Sequence, residues 1–154
     1  MIADPRDNLG GHPPAETDEL LRQVAVLCRA SNHLRRYLEH RVLREARLTW
    51  AGYDVLQLVT GRRSIESRTI AEITGLARAT VNLTLKDLNT RLLIRRLPRA
   101  DDHRYWLLQP TAAGLHLART LRTDLAEALT ELLERPTDPP LRDTVAALHR
   151  ISRP

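Results

Sequence analysis

A row of apolar residues at helical spacing, placed just after a glycine, constrains the fold more than any other feature. It predicts a helix from about Ala77 to Leu92 with one buried face, formed by Val81, Leu85, Leu88 and Leu92. A short helical segment over 70–74 precedes it and ends at Gly75, a residue that readily adopts positive φ. Two helices joined by such a tight turn predict a helix-turn-helix, whose second helix fits a DNA major groove.

Two apolar runs follow this second helix, at 92–94 and 105–108, and they flank a charged tip that contains Pro98. This arrangement predicts a β-hairpin with a long basic tip. A helix-turn-helix followed by a basic hairpin is a winged helix. The predicted fold class is therefore mainly α, with a two-stranded β-wing.

Two short motifs make the prediction more specific. Asp102-His103-Arg104 is followed, after six residues, by Thr111-Ala112-Ala113-Gly114, and this order resembles the D-x-R…T-x-x-G signature of the multiple-antibiotic-resistance regulator (MarR) family. The run from Leu48 to Leu56, LTWAGYDVL, is similar to that family's entry into its second helix. The resemblance covers roughly residues 20–133 and implies a homodimeric, DNA-binding transcriptional regulator.

The positive charge of the chain is concentrated in the same stretch. Residues 62–104 contain ten Arg or Lys and five Asp or Glu, whereas the rest of the chain contains fourteen of each. The whole net charge of +5 therefore falls on the predicted winged helix. Such an excess is expected of a surface that faces phosphates, although a solvated arginine-rich surface would show it too.

Long helices are predicted on both sides of the winged helix. Residues 1–16 are expected to form a flexible arm, and residues 17–154 are expected to form one domain in which 48–110 are the winged helix-turn-helix. One predicted helix runs from Thr17 to about Arg47. The segment 111–154 is predicted to form a long helix to about Arg135 and a short one over 141–151. Both regions carry apolar stripes. Stripes longer than the winged helix can cover suit a two-fold dimer, with Leu125 and Leu129 expected at the interface; a monomeric helical cap is the alternative.

The candidate DNA-binding residues are polar or cationic and lie on the second helix of the motif or on the wing. Asn82 and Lys86 can bond base edges, and Asp102 is expected to tie the wing, as the resemblance implies. The full set of predicted DNA contacts is Arg78, Thr80, Asn82, Lys86, Arg95, Arg96, Arg99 and Arg104.

Three residues depart from the family pattern. Ala77 stands where a Ser or Thr cap is common, Leu83 where a polar groove residue is frequent, and Leu92 where glycine usually ends the helix. Leu83 could touch a thymine methyl group or could signal weakened DNA binding. These departures keep open a rival function, in which the winged helix is a protein-interaction or ligand-binding module.

Two further features concern regulation. An effector pocket for an aromatic or phenolic molecule, as the family binds, is expected among His33, Tyr37, His40, Trp50 and Tyr53. The single cysteine, Cys28, invites comparison with the family's hydroperoxide sensors, but it lies about one helical turn nearer the second helix than a sensor cysteine. Its position on an apolar stripe predicts a buried core thiol.

Several functions have no support in the sequence. There is no nucleophile elbow, phosphate loop or carboxylate pair, so we expect neither an enzyme nor a cofactor. One cysteine excludes an intrachain disulfide and a multi-cysteine zinc site. No apolar run approaches 18 residues and no signal pattern opens the chain, which predicts a cytoplasmic protein without a membrane partner.

Overall fold

The computed structural model describes residues 15–98 and 106–133, which belong to two compact units. The described part of the first unit is helix α1 (Ala15–Leu38), whose last residue already belongs to the second unit. The second unit contains α2 (Trp50–Arg62), β1 (Ile65–Glu66), α3 (Ser67–Thr74), α4 (Arg78–Thr90), β2 (Ile94–Pro98), β3 (Trp106–Pro110) and α5 (Ala112–Leu133). Within the described residues, no helix is long and apolar enough to cross a bilayer.

The first helix ends earlier than the apolar stripe predicted. Instead of running to Arg47, the α-helix stops at Leu38 and continues as a π-helical turn, Glu39–Leu43. Arg47 then adopts a left-handed conformation with φ of 51°, which a continuing α-helix cannot accommodate. Leu38, Leu43 and Leu48 are buried in the second unit, so the turn keeps its apolar side chains in the core while changing the chain direction.

The apolar stripe of α1 is largely exposed in the single chain. Leu20, Leu21, Val24 and Val26 are each more than half exposed. Cys28 is exposed as well, so the prediction of a buried thiol is wrong. Helical periodicity indicates an apolar face here, but it does not show whether that face is buried.

The core of the second unit lies between α2, α4 and α5. Val55, Leu56 and Val59 of α2 are fully buried. The start of α2 is capped twice, because the Thr49 hydroxyl accepts from the Gly52 amide at 3.1 Å and the Glu39 carboxylate accepts from the Trp50 amide at 2.6 Å. Thr49 is thus the N-cap of α2.

The predicted hairpin is present, and a third strand joins it. The antiparallel sheet has the order β1-β3-β2, with Ile65 opposite Leu108 and Arg96 opposite Leu108 on the other side. The sequence analysis assigned no strand to residues 65–66, which form β1 because Ile65 is buried against the wing strand. The mainly helical winged helix-turn-helix is confirmed, with a sheet one strand larger than expected.

Helix α5 buries most of its apolar stripe inside its own chain. Ala118, Leu121, Leu125 and Ala128 are each less than 5% exposed. The placement of Leu125 at a dimer interface is therefore wrong, since periodicity shows which face is buried but not what covers it. The predicted arm before residue 15, the wing tip at 99–105, and the break and last helix after 133 lie outside the described residues.

Candidate nucleic-acid interface

The turn between α3 and α4 is built as the sequence indicated. Gly75 has a φ of 67°, and its amide donates to the carbonyl of Ala71 at 3.0 Å. The Thr74 hydroxyl donates to the Ile70 carbonyl at 2.8 Å and accepts from the Leu76 amide at 3.2 Å. These bonds close α3 and redirect the chain within three residues, so α4 begins at a fixed angle to α3.

Helix α4 has one buried face and one open face. Val81, Leu85 and Leu88 are at most 1% exposed and fix the helix in the core. The predicted groove residues on this helix are all exposed: Arg78, Thr80, Asn82 and Lys86. The helix therefore offers two cations and two hydrogen-bonding side chains to a ligand outside the protein.

The C-terminal end of α4 is tied to the turn that precedes α2 by Arg91, a residue that the sequence did not single out. Its guanidinium donates to the carbonyl of Ala46 at 2.6 Å and to that of Arg47 at 3.0 Å, and it pairs with Asp87 at 3.4 Å. Arg91 thus satisfies carbonyls that the left-handed turn at Arg47 leaves open. An arginine at a helix end is common, so only the tertiary partners reveal this role.

The T-x-x-G motif joins the start of the wing to α5. The Thr111 hydroxyl accepts from the Gly114 amide at 3.1 Å, capping α5, and donates to the Leu92 carbonyl at 2.7 Å. The Thr111 amide also donates to the Leu93 carbonyl at 3.1 Å. A Cβ on Gly114 would overlap that carbonyl oxygen and lie 2.9 Å from the carbonyl carbon, so only glycine fits. The motif therefore fixes the junction between α4, the wing and α5.

A hollow of about 330 Å³ lies between α4, the start of α3 and the wing; we call it the wing hollow. It is lined by Glu66, Ser67, Arg68, Asn82, Leu85, Arg96, Trp106 and Leu108. A smaller adjoining hollow of about 170 Å³ adds Arg78. Asn82, Arg96 and Arg78 are thus brought to one side of the winged helix, together with Arg68 and Trp106, which the sequence did not indicate. Trp106 is 52% exposed there.

The two wing arginines within the described residues have different surroundings. Arg96 lines the wing hollow, whereas Arg95 donates to Gln109 of the neighbouring strand at 3.0 Å. Adjacent side chains of a strand point to opposite faces, so only one of the two can face α4. Arg99, Asp102 and Arg104 lie outside the described residues, and their roles stay predictions.

The three departures from the family pattern have structural consequences. Ala77 makes no side-chain cap for α4. Leu92 has a φ of 56°, a left-handed conformation that glycine adopts without strain and leucine does not. Leu83 is 71% exposed on α4.

The predicted effector residues are divided between the two units. His33 and Tyr37 belong to the first. In the second, the rings of Trp50 and Tyr53 are 5.5 Å apart and inclined at 51°, and burial raises the pKa of the Tyr53 phenol. His40 lines a separate open hollow of about 290 Å³ with two arginines, Arg44 and Arg47. The five residues as one pocket remain a prediction.

Other hollows do not suit an aromatic ligand. A depression of about 610 Å³ along α5 is lined by polar and charged residues and one alanine, Ala126. No cluster of three or more potential metal ligands occurs among the described residues.

The chain was compared with protein-family models, with known protein sequences and with solved structures. No protein-family model matches the chain. Over 115 residues it is 26% identical to the uncharacterized HTH-type transcriptional regulator YwaE of Bacillus subtilis, which covers 75% of this chain and 67% of the relative.

Several solved structures share the fold. A mutant MarR from E. coli complexed with operator DNA has a TM-score of 0.76 at 18% identity, covering 87% of this chain and 96% of that one. A MarR-family regulator from Rhodococcus sp. RHA1 has a TM-score of 0.77 at 20% identity, covering 92% and 99%. CouR from Rhodococcus jostii RHA1, bound to p-coumaroyl-CoA, has a TM-score of 0.73 at 20% identity, covering 92% and 97%. The resemblance to the MarR family is confirmed, and these relatives are regulators rather than enzymes.

Proposed function

From the premise of a MarR-type regulator fold, we propose that this protein binds a pseudo-palindromic DNA operator as a homodimer and represses transcription until an effector binds. One observation carries the DNA-binding part: the exposed Asn82 of α4 and the wing arginine Arg96 both line the wing hollow, and Arg78 lines the hollow that adjoins it. The solved MarR relative bound to operator DNA supports the same use of the fold.

Selection of bound sequences from a random duplex pool tests this function directly. We expect the purified protein to enrich a two-fold symmetric site whose half-sites lie about 34–36 Å apart, one turn of DNA. Asn82→Ala should change the preferred base at one position of each half-site, at a cost of about 1–3 kcal/mol. Arg96→Ala, the control, should weaken binding without changing the preferred sequence. Failure to enrich any sequence would contradict the proposal.

The homodimer is proposed from the exposed apolar face of α1. Leu20, Leu21 and Val24 are 54–61% exposed, and a second copy of the chain would remove them from water. An obligate interface should bury at least ~2,000 Å². Light scattering should give a dimer for the wild type and a folded monomer for Leu21→Glu. Leu125→Asp does not test the dimer interface, because Leu125 is buried in its own chain and the substitution would destabilise the fold.

The effector is proposed to be an aromatic or phenolic molecule that contacts Trp50 and Tyr53. The neutral Tyr53 phenol can donate a hydrogen bond beside the Trp50 ring, and CouR shows the fold holding a phenolic thioester. We expect 4-hydroxybenzoate, as a probe, to release bound DNA from the wild type and not from Tyr53→Ala.

The rival function is a protein-interaction or ligand-binding module, and the exposed Leu83 is the observation that favours it. A module of this kind would enrich no DNA sequence from the pool.

A further inference from the structure

A leucine lies near the apex of the exposed face of α4. Taking Val81, Leu85 and Leu88 as the centre of the buried face, a rotation of 100° per residue places Leu83 roughly 170° away. Ala79 and Lys86 lie roughly 150° and 130° from the same centre, whereas Asn82 lies only about 95° away and lines the wing hollow. Leu83 therefore lies near the apex of the exposed face, as does Thr90 in the last turn of the helix, and Leu83 is 71% exposed.

A leucine at this point differs from an ordinary exposed leucine in its surroundings. It lies on the same helix as two exposed cations, Arg78 and Lys86, and on the winged-helix segment that holds the excess positive charge of the chain. A protein partner with a mainly apolar docking face would leave those cations desolvated and unpaired, which is costly. A partner that is both densely anionic and locally apolar satisfies the whole face.

Duplex DNA has this combination in its major groove. Its floor is hydrogen-bonding except at thymine, where the C5-methyl group is the one apolar contact. The phosphates on both sides of the groove suit Arg78 and Lys86. An isobutyl side chain at the apex of an entering helix would reach the groove floor before the residues on the flanks.

We propose that Leu83 determines sequence specificity by packing on a thymine methyl group in each half-site. This inference rests on the proposed DNA-binding function and assigns one base of the site. Leu83 reads a methyl group, while Asn82, on the wing side of the helix, acts at a different position. The unusual residue in the groove thus changes which base is preferred rather than weakening binding in general.

Replacement of thymine by deoxyuridine isolates this contact. Deoxyuridine lacks the methyl group and keeps every hydrogen-bonding atom of the base edge. On the selected duplex, replacing thymines one pair at a time should weaken wild-type binding at one symmetric pair of positions. The loss should be about four-fold for each methyl group, and on the order of ten-fold for the pair.

The Leu83→Ala variant should bind the thymine duplex less well than the wild type and should show less than about two-fold discrimination against deoxyuridine at that pair. Leu92→Ala is the matched control, because Leu92 is equally exposed at 73% and lies beyond the end of α4. It should discriminate like the wild type. Circular dichroism of the three proteins verifies that all are folded.

The outcomes separate the two proposals. If the wild type binds its selected duplex but no deoxyuridine replacement weakens it, or if Leu83→Ala discriminates as strongly as the wild type, the leucine contact is wrong and the DNA-binding function stands. If the wild type selects no duplex, the proposed function fails and the inference fails with it.

Discussion

The two ends of α4 are held very differently. The C-terminal end is tied down by Arg91, which bonds two carbonyls of the turn before α2, and by Thr111, which bonds the carbonyl of Leu92. The N-terminal end begins at Ala77 without a side-chain cap. The free amides of a helix N-terminus attract anions, so an uncapped start remains available to a phosphate. Under the proposed function, we therefore expect the C-terminal end of the helix to contribute mainly to stability and the N-terminal end to phosphate binding.

The strongest way to break the anchored end is Gly114→Ala. The added Cβ would overlap the backbone of Leu93, which cannot move away without disturbing the wing. We expect a loss of about 3 kcal/mol or more in the free energy of unfolding, measured by urea denaturation. Gly61→Ala is the control: a Cβ there meets nothing within 4 Å and lies in a helix, so it should be neutral or stabilise by up to ~1 kcal/mol. Equal stability of the two variants would refute this account of the motif.

Arg91→Ala should have the next largest effect. Its removal leaves the carbonyls of Ala46 and Arg47 without their side-chain donor, at a cost of about 1–3 kcal/mol. Arg96→Ala removes an exposed arginine of the wing hollow and should change stability by less than ~0.5 kcal/mol while weakening DNA binding. Arg91→Ala should therefore lose more stability in thermal melts, whereas Arg96→Ala should lose more affinity in DNA-binding titrations. The same ranking in both assays would contradict a division between anchoring and binding residues.

Leu92→Gly should stabilise the protein. Leucine at a φ of 56° carries strain of roughly 1–2 kcal/mol that glycine relieves, and the greater freedom of glycine in the unfolded chain cancels part of the gain. The net increase in unfolding free energy should be up to ~1 kcal/mol. Leu92→Ala keeps a Cβ and should show no such gain. Destabilisation by glycine would mean that the turn holds Leu92 through its side chain rather than its backbone conformation.

Capping the open end should have the smallest effect on stability. Ala77→Ser supplies an acceptor for the first turn of α4 and should add about 0.5–1 kcal/mol. Ala77→Asp should stabilise to a similar extent but should weaken DNA binding, because its carboxylate would repel a phosphate at the same amides. If Ala77→Asp binds DNA as well as Ala77→Ser does, the N-terminal end of α4 does not face a phosphate.

Local sequence signals predicted most of this fold. The apolar spacing of 81, 85 and 88 defines α4, and Gly75 and Thr49 mark the ends of neighbouring helices because their backbone and side-chain chemistry is specific to those positions. The order of the motifs correctly indicated the wing and the MarR resemblance.

Features decided by distant partners could not be predicted. Strand β1 has only two residues and exists because Ile65 pairs with Leu108. The left-handed turn at Arg47 contains no glycine or proline to signal it, and Arg91 gains its role from carbonyls about 45 residues away. The partner of Leu125 could not be predicted for the same reason, since the apolar stripe of a helix does not reveal whether it packs on the same chain or on another.

The salt dependence of binding tests the central claim, that the winged helix presents its positive excess to DNA, most directly. Fluorescence anisotropy on the selected duplex should show affinity falling by about 10³- to 10⁵-fold between 50 and 200 mM salt, if a dimer makes roughly 6–10 phosphate contacts. Arg96→Ala should reduce the slope of log affinity against log salt by about one for each phosphate that the arginine no longer neutralises. An affinity that does not change with salt would contradict the account and support the protein-interaction alternative.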